Sequence, residues 1–397
     1  MKCVETDEVM LSMSTPLMSM VIEPSEKNND DTFIYLGLMI CESLDYYNFR
    51  NIETAHIDLC PGINVLYGEN AEGKTNAIEG IYLFAGGRSF RAHSDAEMIR
   101  FGENTGGIRL CYSDRTGKGS LEFAVLPSGR RSCKKNGGAV SRLSEFVGCF
   151  HAVLFCPEHL AIVKDGPAVR RSFLDMALSQ LSPVYLSSLQ RYHMLLRQRN
   201  ALLKKRMFSG RGLDSEFSDS LYVWSAQLAH EAAYISLARS EYVERLCGKA
   251  RALLSDMSGG REEITLSYTG PQDEAWFLEK LTCSIEREIK LGGTIGGIHR
   301  DDMGIKIGGR EARSFASQGQ QRSAALCIKL GEGEIICDEV GEQPVYLLDD
   351  ILSELDEGRR RYILSGIRRG QVIITSCSAD VGGDRRFLVR GGTYTPQ

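Results

Sequence analysis

The segment Gly68-Glu-Asn-Ala-Glu-Gly73-Lys74-Thr75 constrains this chain more than any other feature. It matches the pattern G-x-x-x-x-G-K-[ST] at every fixed position. The apolar run Asn64-Val-Leu-Tyr67 predicts a strand before it, and the pattern over 76–84 predicts a helix after it. A glycine-rich loop in that setting wraps backbone N–H groups around an anion, and the helix N-terminus adds a favourable dipole. Gly68, Glu69, Asn70, Ala71, Glu72, Gly73, Lys74, Thr75 and Asn76 are therefore expected to hold the phosphates of a nucleotide. Lys74 is expected to reach the β- and γ-phosphates, and the Thr75 hydroxyl to ligate Mg²⁺. An ordinary glycine turn is the plainer alternative, and the flanking strand and helix weigh against it.

Such a loop needs a metal-organising acid on a neighbouring strand. Tyr346-Leu-Leu-Asp349-Asp350 supplies it, as an apolar strand ending in two carboxylates. Asp349 fits the Mg²⁺ shell, and Asp350 is placed to orient or deprotonate an attacking water. Lys74, Asp349 and Asp350 are the expected catalytic residues. The wide separation of Lys74 from Asp349 leaves room for an inserted segment that a compact G-protein-like domain would not need.

That segment reads as helical. Leu174, Leu178, Leu181, Tyr185, Leu189, Tyr192, Leu196 and Leu203 recur at three- and four-residue spacings, as do Leu221, Trp224, Leu228, Ala232, Ile235, Tyr242 and Leu246. Ser182-Pro183 reads as the cap and first residue of a new helix. Gly248 and Gly259-Gly260 read as helix ends. Strand signals flank the insert, at 108–112, 121–126 and 153–155 before it and at 304–307, 345–348 and 372–375 after it. The expected division is an extension at 1–38, an ATPase part at 39–156, a helical lobe at 157–290 and a second ATPase part at 291–397.

Composition narrows the class. With 397 residues and 43% hydrophobic content, the chain can bury a large core. At about 100–200 residues per domain, two or three domains are expected. Lys plus Arg number 47 and Asp plus Glu 52, so any nucleic-acid footprint must be local. The twelve cysteines show no C-x-x-C and no zinc spacing, which fits free thiols in a reducing, cytoplasmic compartment. No apolar run approaches the ~18 residues of a membrane span, and no membrane partner is expected. Residues 1–38 carry Glu5, Asp7 and Glu8 ahead of their apolar part, unlike a secretory signal. They read as a loose tail, with Met39 as an alternative start.

Three further segments resemble parts of ABC-type ATPases. Ser317-Gln-Gly319-Gln320-Gln-Arg322 resembles a signature motif, Ser353-Glu-Leu-Asp356 a D-loop, and Val372-Ile-Ile-Thr375 the last sheet strand. Thr375 stands where transporter ATPases carry a switch histidine. The whole set resembles the RecF family of recombination-mediator ATPases, related to SMC proteins. Asn48-Phe49-Arg50-Asn51, Pro61-Gly62-Ile63-Asn64-Val65, Arg88-Ser89-Phe90-Arg91, Ile99-Arg100-Phe101-Gly102, Arg170-Arg171-Ser-Phe-Leu174-Asp175, Gln198-Arg199-Asn200 and His299-Arg300-Asp301-Asp302 also fit. Gly297-Ile298 stands where the family usually has Gly-Pro, and no Q-loop glutamine is evident near Phe155-Cys156-Pro157-Glu158.

The resemblance implies an α/β ABC/SMC-type P-loop ATPase head, built from both chain ends around an inserted helical lobe. It implies ATP and Mg²⁺ as cofactors, and an ATP-dependent homodimer in which Ser317, Gly319 and Gln320 face the partner's γ-phosphate. It implies a weak, DNA-dependent ATPase that binds gapped or single-strand/double-strand junction DNA and helps RecO and RecR load RecA. Arg91, Arg130, Arg131, Lys134, Lys135 and Arg199 are the expected DNA contacts, with Arg191, Arg197, Lys204, Lys205 and Arg206 in the same basic stretch as Arg199. A solvated charged face is the alternative for the two basic clusters, and a surface salt bridge for Arg91. Arg359, Arg360 and Arg361 read as such a face.

Three other readings are weaker. A transporter's nucleotide-binding subunit would carry the Q-loop and the switch histidine. A scaffold with a dead P-loop would not keep Lys74, Thr75, Asp349 and Asp350 intact. A kinase loop H-R-D-x-x-x-x-N would need asparagine where Lys306 stands.

Overall fold

The computed structural model describes residues 37–210, 212–367 and 369–397. Residues 1–36, most of the expected extension, lie outside the described residues. The N-terminal part runs β1 (Ile40–Phe49), β2 (Ile52–Asp58), β3 (Ile63–Tyr67), α1 (Lys74–Gly86), β4 (Gly106–Asp114), β5 (Gly117–Val125), β6 (Arg131–Lys135), β7 (Gly138–Val140) and β8 (Ala152–Phe155). Helices α2 (Ala161–Lys164), α3 (Pro167–Leu181), α4 (Pro183–Ser209) and α5 (Ser215–Ser258) follow. Then come β9 (Ile264–Tyr268), α6 (Glu274–Cys283), α7 (Ile285–Leu291), β10 (Met303–Ile307), β11 (Arg310–Glu311), α8 (Ala312–Phe315) and α9 (Gln318–Val340). The chain closes with β12 (Val345–Asp349), α10 (Glu357–Ile367), β13 (Val372–Ser376), β14 (Arg385–Arg390) and β15 (Thr393–Pro396).

Strands from both chain ends share one sheet, ordered β15-β14-β3-β13-β12-β8. Every neighbouring pair in it is parallel except β14 with the edge strand β15. Parallel strands covered on both faces read as unbroken apolar runs. Val345–Leu348, Val372–Ile374 and Ala152–Phe155 are such runs, and all are buried. A second, antiparallel sheet is ordered β2-β1-β4-β5-β6-β7. Helix α1 packs against β8, β12 and β13 of the first sheet and β4 of the second. It is buried almost all round from Ala77 to Ala85, so one hydrophobic core joins Leu66, Ile81, Leu110, Leu154, Leu347 and Ile373.

Helix α4 starts as expected: the Ser182 hydroxyl accepts from Tyr185 N at 3.1 Å, with Pro183 leading the helix. Two expectations need correction. Gly248 does not end a helix, because α5 runs through it for 44 residues. The buried stripe Leu246, Ala250 and Leu254 carries the helix past the glycine, and Gly259 is the true cap. Within the span expected to be helical, β9 forms instead and pairs antiparallel with β10. Helix α5 packs on α9 as well as on α4 and β9, so the helical segment sits on the helix that carries the signature residues.

Candidate nucleotide-binding site

The loop from Gly68 to Thr75 joins the C-terminal end of β3 to α1, at the edge of the parallel sheet where ligands bind. Two glycines have no substitute there. A Cβ on Gly68 would lie 2.4 Å from the Val389 carbonyl oxygen, and Gly73 caps α1 at φ +113°. The rear of the loop is held by the β14–β15 turn: Tyr394 Oη donates to Gly73 O at 2.9 Å, Gly392 N to Glu72 O at 2.9 Å, and Gly391 N to the Glu72 carboxylate.

Lys74 is buried, and its ammonium donates to Gly68 O at 2.7 Å and Glu69 O at 2.6 Å. It also lies 3.9 Å from the Cys377 sulfur, and the Cys377 thiol bonds Asn70 Oδ1 at 2.9 Å. Across the sheet, Thr75 Oγ1 donates to Asp349 Oδ1 at 2.9 Å. Thr375 Oγ1 donates to the same oxygen at 2.8 Å, and accepts from Asp350 N at 2.9 Å. Thr375 is therefore turned toward Asp349 and Asp350. Burial raises the Asp349 carboxyl above the ordinary aspartate range, the two hydroxyl hydrogen bonds oppose the rise, and the nearby Glu158 charge adds to it. A hydroxyl beside a carboxylate is the hard oxygen pair that Mg²⁺ prefers, so Thr75 and Asp349 fit the ion. Glu158 is the exposed acid just past the end of β8, where a Q-loop glutamine was sought.

Asp350 takes a left-handed conformation, φ +51°. Non-glycine residues reach that region at a cost, and functional sites are where it persists. Ser353 Oγ closes the turn by donating to Asp350 O at 2.7 Å.

The signature residues form a reciprocal cap. Ser317 Oγ accepts from Gln320 N at 3.2 Å, and Gln320 Oε1 accepts from Ser317 N at 2.9 Å. Among the described residues, no hydrogen bond joins this cap to the phosphate loop of the same chain. Arg359, expected on a solvated face, instead donates through Nη2 to Gly319 O at 3.0 Å and through Nε to Ser323 Oγ at 2.9 Å. It also pairs with Asp356, whose carboxyl sits below the usual range because it accepts the Arg359 backbone N–H. Arg322 Nη1 donates to Glu354 O at 3.0 Å. Two arginines thus bolt the signature helix to the D-loop. Arg360 donates to Leu352 O at 2.8 Å yet stays exposed, as does Arg361, so the solvated character expected of all three fails only at Arg359.

The basic groups divide sharply. Arg199 is a correction. It is fully buried, bonded to Glu288 at 2.6 Å, Ser225 Oγ at 2.9 Å and Thr294 Oγ1 at 2.7 Å, and cannot meet a phosphate. Arg191 pairs with Glu231, and Arg206 with Asp214. In the hairpin, Arg131 pairs with Asp95 and Lys134 with Glu122, whereas Arg130 and Lys135 are exposed without an ion pair among the described residues. Arg91 is exposed beside the loop. Its backbone N–H donates to Ser89 Oγ at 2.9 Å, and its guanidinium to Asn76 Oδ1 at 3.3 Å. Ser89 in turn bonds the buried Glu79, which Arg50 clamps from the β1–β2 turn.

The Arg170-Arg171 and His299–Asp302 segments prove to be partners. Arg170 forms a two-pronged pair with Asp302 at 2.6 and 2.8 Å, and Arg171 donates to Asp301 O at 2.7 Å. Ile298, in place of the usual proline, is buried in the turn, and its carbonyl accepts from Arg239 at 2.9 Å.

The family described as RecF/RecN/SMC N terminal domain matches residues 40–383. The DNA replication and repair protein RecF of Agathobacter rectalis is 38% identical over 351 residues, covering 88% of this chain and 96% of its own. That of Staphylococcus carnosus is 39% identical, covering 90% and 98%. A solved structure described as the recombination mediator protein RecF-ATP in the RecFOR pathway superposes with a TM-score of 0.85 at 34% identity, over 92% of this chain and 100% of that one. An Smc head domain from Pyrococcus furiosus shares the fold at a TM-score of 0.53 and 16% identity, over 91% and 96%. Among the described residues, no helix is long and apolar enough to cross a membrane.

Proposed function

The chain belongs to the RecF family of DNA replication and repair proteins, with an ABC/SMC-type ATPase head, and on that premise we propose that it is an ATP-controlled DNA-binding protein of recombinational repair and replication restart. The observation that carries the proposal is the 2.9 Å bond between Thr75 and Asp349, formed beside Lys74 at the mouth of one parallel sheet.

In this reading Lys74 exchanges the carbonyls of Gly68 and Glu69 for phosphate oxygens. Thr75 and Asp349 present oxygens to Mg²⁺, which when bound offsets phosphate charge. Asp350 orients the attacking water. It is one methylene shorter than the glutamate usual in transporter ATPases, and a slow hydrolysis that acts as a timer follows.

Two protomers sandwich two ATP molecules. The capped N-terminus of α9 in each supplies Ser317, Gly319 and Gln320 to the γ-phosphate held by the other. The exposed cations Arg91, Arg130 and Lys135 contact DNA phosphates at gaps and at junctions of single and double strand, without reading sequence. Arg91 is tied to Asn76 at the start of α1, so DNA held there acts directly on the nucleotide site. RecO and RecR are the protein partners in loading RecA. The test is ATP hydrolysis with and without gapped DNA, beside Lys74→Ala. Stimulation by DNA in the wild type and its loss in the variant are expected. Hydrolysis indifferent to DNA contradicts the proposal.

A further inference from the structure

We infer that Thr375 is a positioning residue of the nucleotide site, its single hydroxyl setting the Asp349 carboxylate and the Asp350 backbone in one geometry. This rests on the reading above, in which the two acids serve a bound nucleotide.

The parallel register places Thr375 beside Asp349, so both side chains leave the sheet on the same face. A hydroxyl has one hydrogen to give. The Asp350 N–H can only donate, so Thr375 Oγ1 accepts there at 2.9 Å and spends its hydrogen on Asp349 Oδ1 at 2.8 Å. The directions are forced, and the hydroxyl links two consecutive acids that point to different tasks. Thr75 also donates to Asp349 Oδ1, and no described residue donates to Oδ2. Both hydroxyls hold one oxygen, which stops rotation of the carboxylate and leaves the other oxygen for the ligand. The bond to Asp350 N also fixes the amide at the start of the left-handed turn, φ +51°, a region that aspartate visits and most residues avoid.

The residue type supports the assignment. Val372, Ile373 and Ile374 precede Thr375 in β13, and valine would fill its place in shape. Thr375 is only 2% exposed, so water has no easy route to replace a missing hydroxyl. A buried polar group in an otherwise apolar strand is retained at a cost unless it is bonded, and here both of its bonds go to the acids.

The experiment compares Thr375→Val, Thr375→Ser and Thr375→Cys in the full-length protein. ATP binding is titrated with Mg²⁺ and with EDTA, turnover is measured, and thermal unfolding without nucleotide reports the fold. Thr375→Val is expected to bind ATP in EDTA like the wild type. It is expected to lose the Mg²⁺-dependent gain in affinity by at least about tenfold, the usual effect of removing a partner of a metal ligand. Turnover falls with it, and Thr375→Ser restores both. A Thr375→Val protein with wild-type Mg²⁺ dependence and turnover overturns the inference, as does a Thr375→Ser protein as defective as Thr375→Val. If Thr375→Val fails to fold, Thr375→Cys decides: its weaker donor predicts a partial loss, and wild-type behaviour overturns the inference. A wild type that gains nothing from Mg²⁺ defeats the underlying nucleotide reading, which separates the two failures.

Discussion

The Thr75 hydroxyl and the Asp349 carboxylate meet at 2.9 Å, although 274 residues separate them along the chain. The contact exists because β3, from the N-terminal part, and β12, from the C-terminal part, flank β13 in one parallel sheet. A loop that opens a helix on one strand and an acid that ends another are thereby set at the same sheet edge. Neither chain end can build the site alone.

Asp350→Asn keeps the backbone N–H that bonds Thr375 and removes only the ionised oxygen. Hydrolysis is expected to fall by about 10²–10⁴, the usual effect of losing a general base. ATP binding persists, and the ATP-bound dimer accumulates. Quenched-flow turnover and light scattering read the two effects. A variant that stays monomeric in saturating ATP and Mg²⁺ contradicts the role of Asp350.

Arg359→Ala removes the bond to the Gly319 carbonyl and the pair with Asp356. Among the described residues no hydrogen bond joins these groups to Lys74, so ATP affinity of the single protomer is expected to hold. The signature cap loses its anchor to the D-loop, and ATP-driven dimerisation weakens by about tenfold, near 1.4 kcal/mol. Analytical ultracentrifugation across protein concentrations measures it. Unchanged dimerisation contradicts the bolt.

Arg199 and the pair Arg130 and Lys135 are expected to behave oppositely. Arg199→Ala strands a buried Glu288 carboxylate and costs about 3–5 kcal/mol of stability. Arg130→Ala and Lys135→Ala leave stability unchanged and lower the salt dependence of DNA binding by about 0.9 per lost phosphate contact. Urea unfolding and DNA titrations at several salt concentrations check both.

His299 accounts for part of the acid sensitivity. Burial lowers its pKa from 6.5 to about 4, the charges of Arg300, Arg171 and His193 add to the drop, and the hydrogen bond to Thr294 opposes it. The neutral ring accepts from Tyr192 Oη at 2.7 Å and donates to Thr294 O at 3.3 Å. The unfolded chain takes up the proton first. The contribution is therefore full above pH 6.5 and is lost as pH falls toward about 4. His299→Gln is expected to flatten that part of the stability profile, measured by urea midpoints. An unchanged slope contradicts it.

Much of this site is legible in the residues themselves. The phosphate loop announces its strand and helix because glycines, Lys74 and Thr75 must occupy fixed offsets. Asp349 and Asp350 end a short apolar run, a weak signal alone that becomes strong beside the phosphate loop. Thr375 is less legible, since a threonine ending a β-branched run looks like strand propensity, and only the register across β12 shows its partners. The β14–β15 hairpin that holds the loop buries Phe387, Val389 and Tyr394 but carries no motif. Arg199 sits in a run of basic residues and reads as surface, yet it lies seven residues after Tyr192 and four before Leu203, on their buried stripe. Helical spacing contained that signal, and charge counting obscured it. Arg359 resembles any exposed i,i+3 partner of Asp356 until α9 is seen packed beside α10.

The central claim is that ATP assembles two copies of this chain around the sites built on Lys74, Thr75 and Asp349, and that the pair holds DNA. Size-exclusion chromatography with light scattering tests it most directly, with ATP and Mg²⁺, with and without gapped DNA, beside Lys74→Ala. The account predicts a dimer that appears with ATP, retains DNA, and is absent in Lys74→Ala. A monomer indifferent to ATP, or a dimer that forms equally in Lys74→Ala, would contradict it.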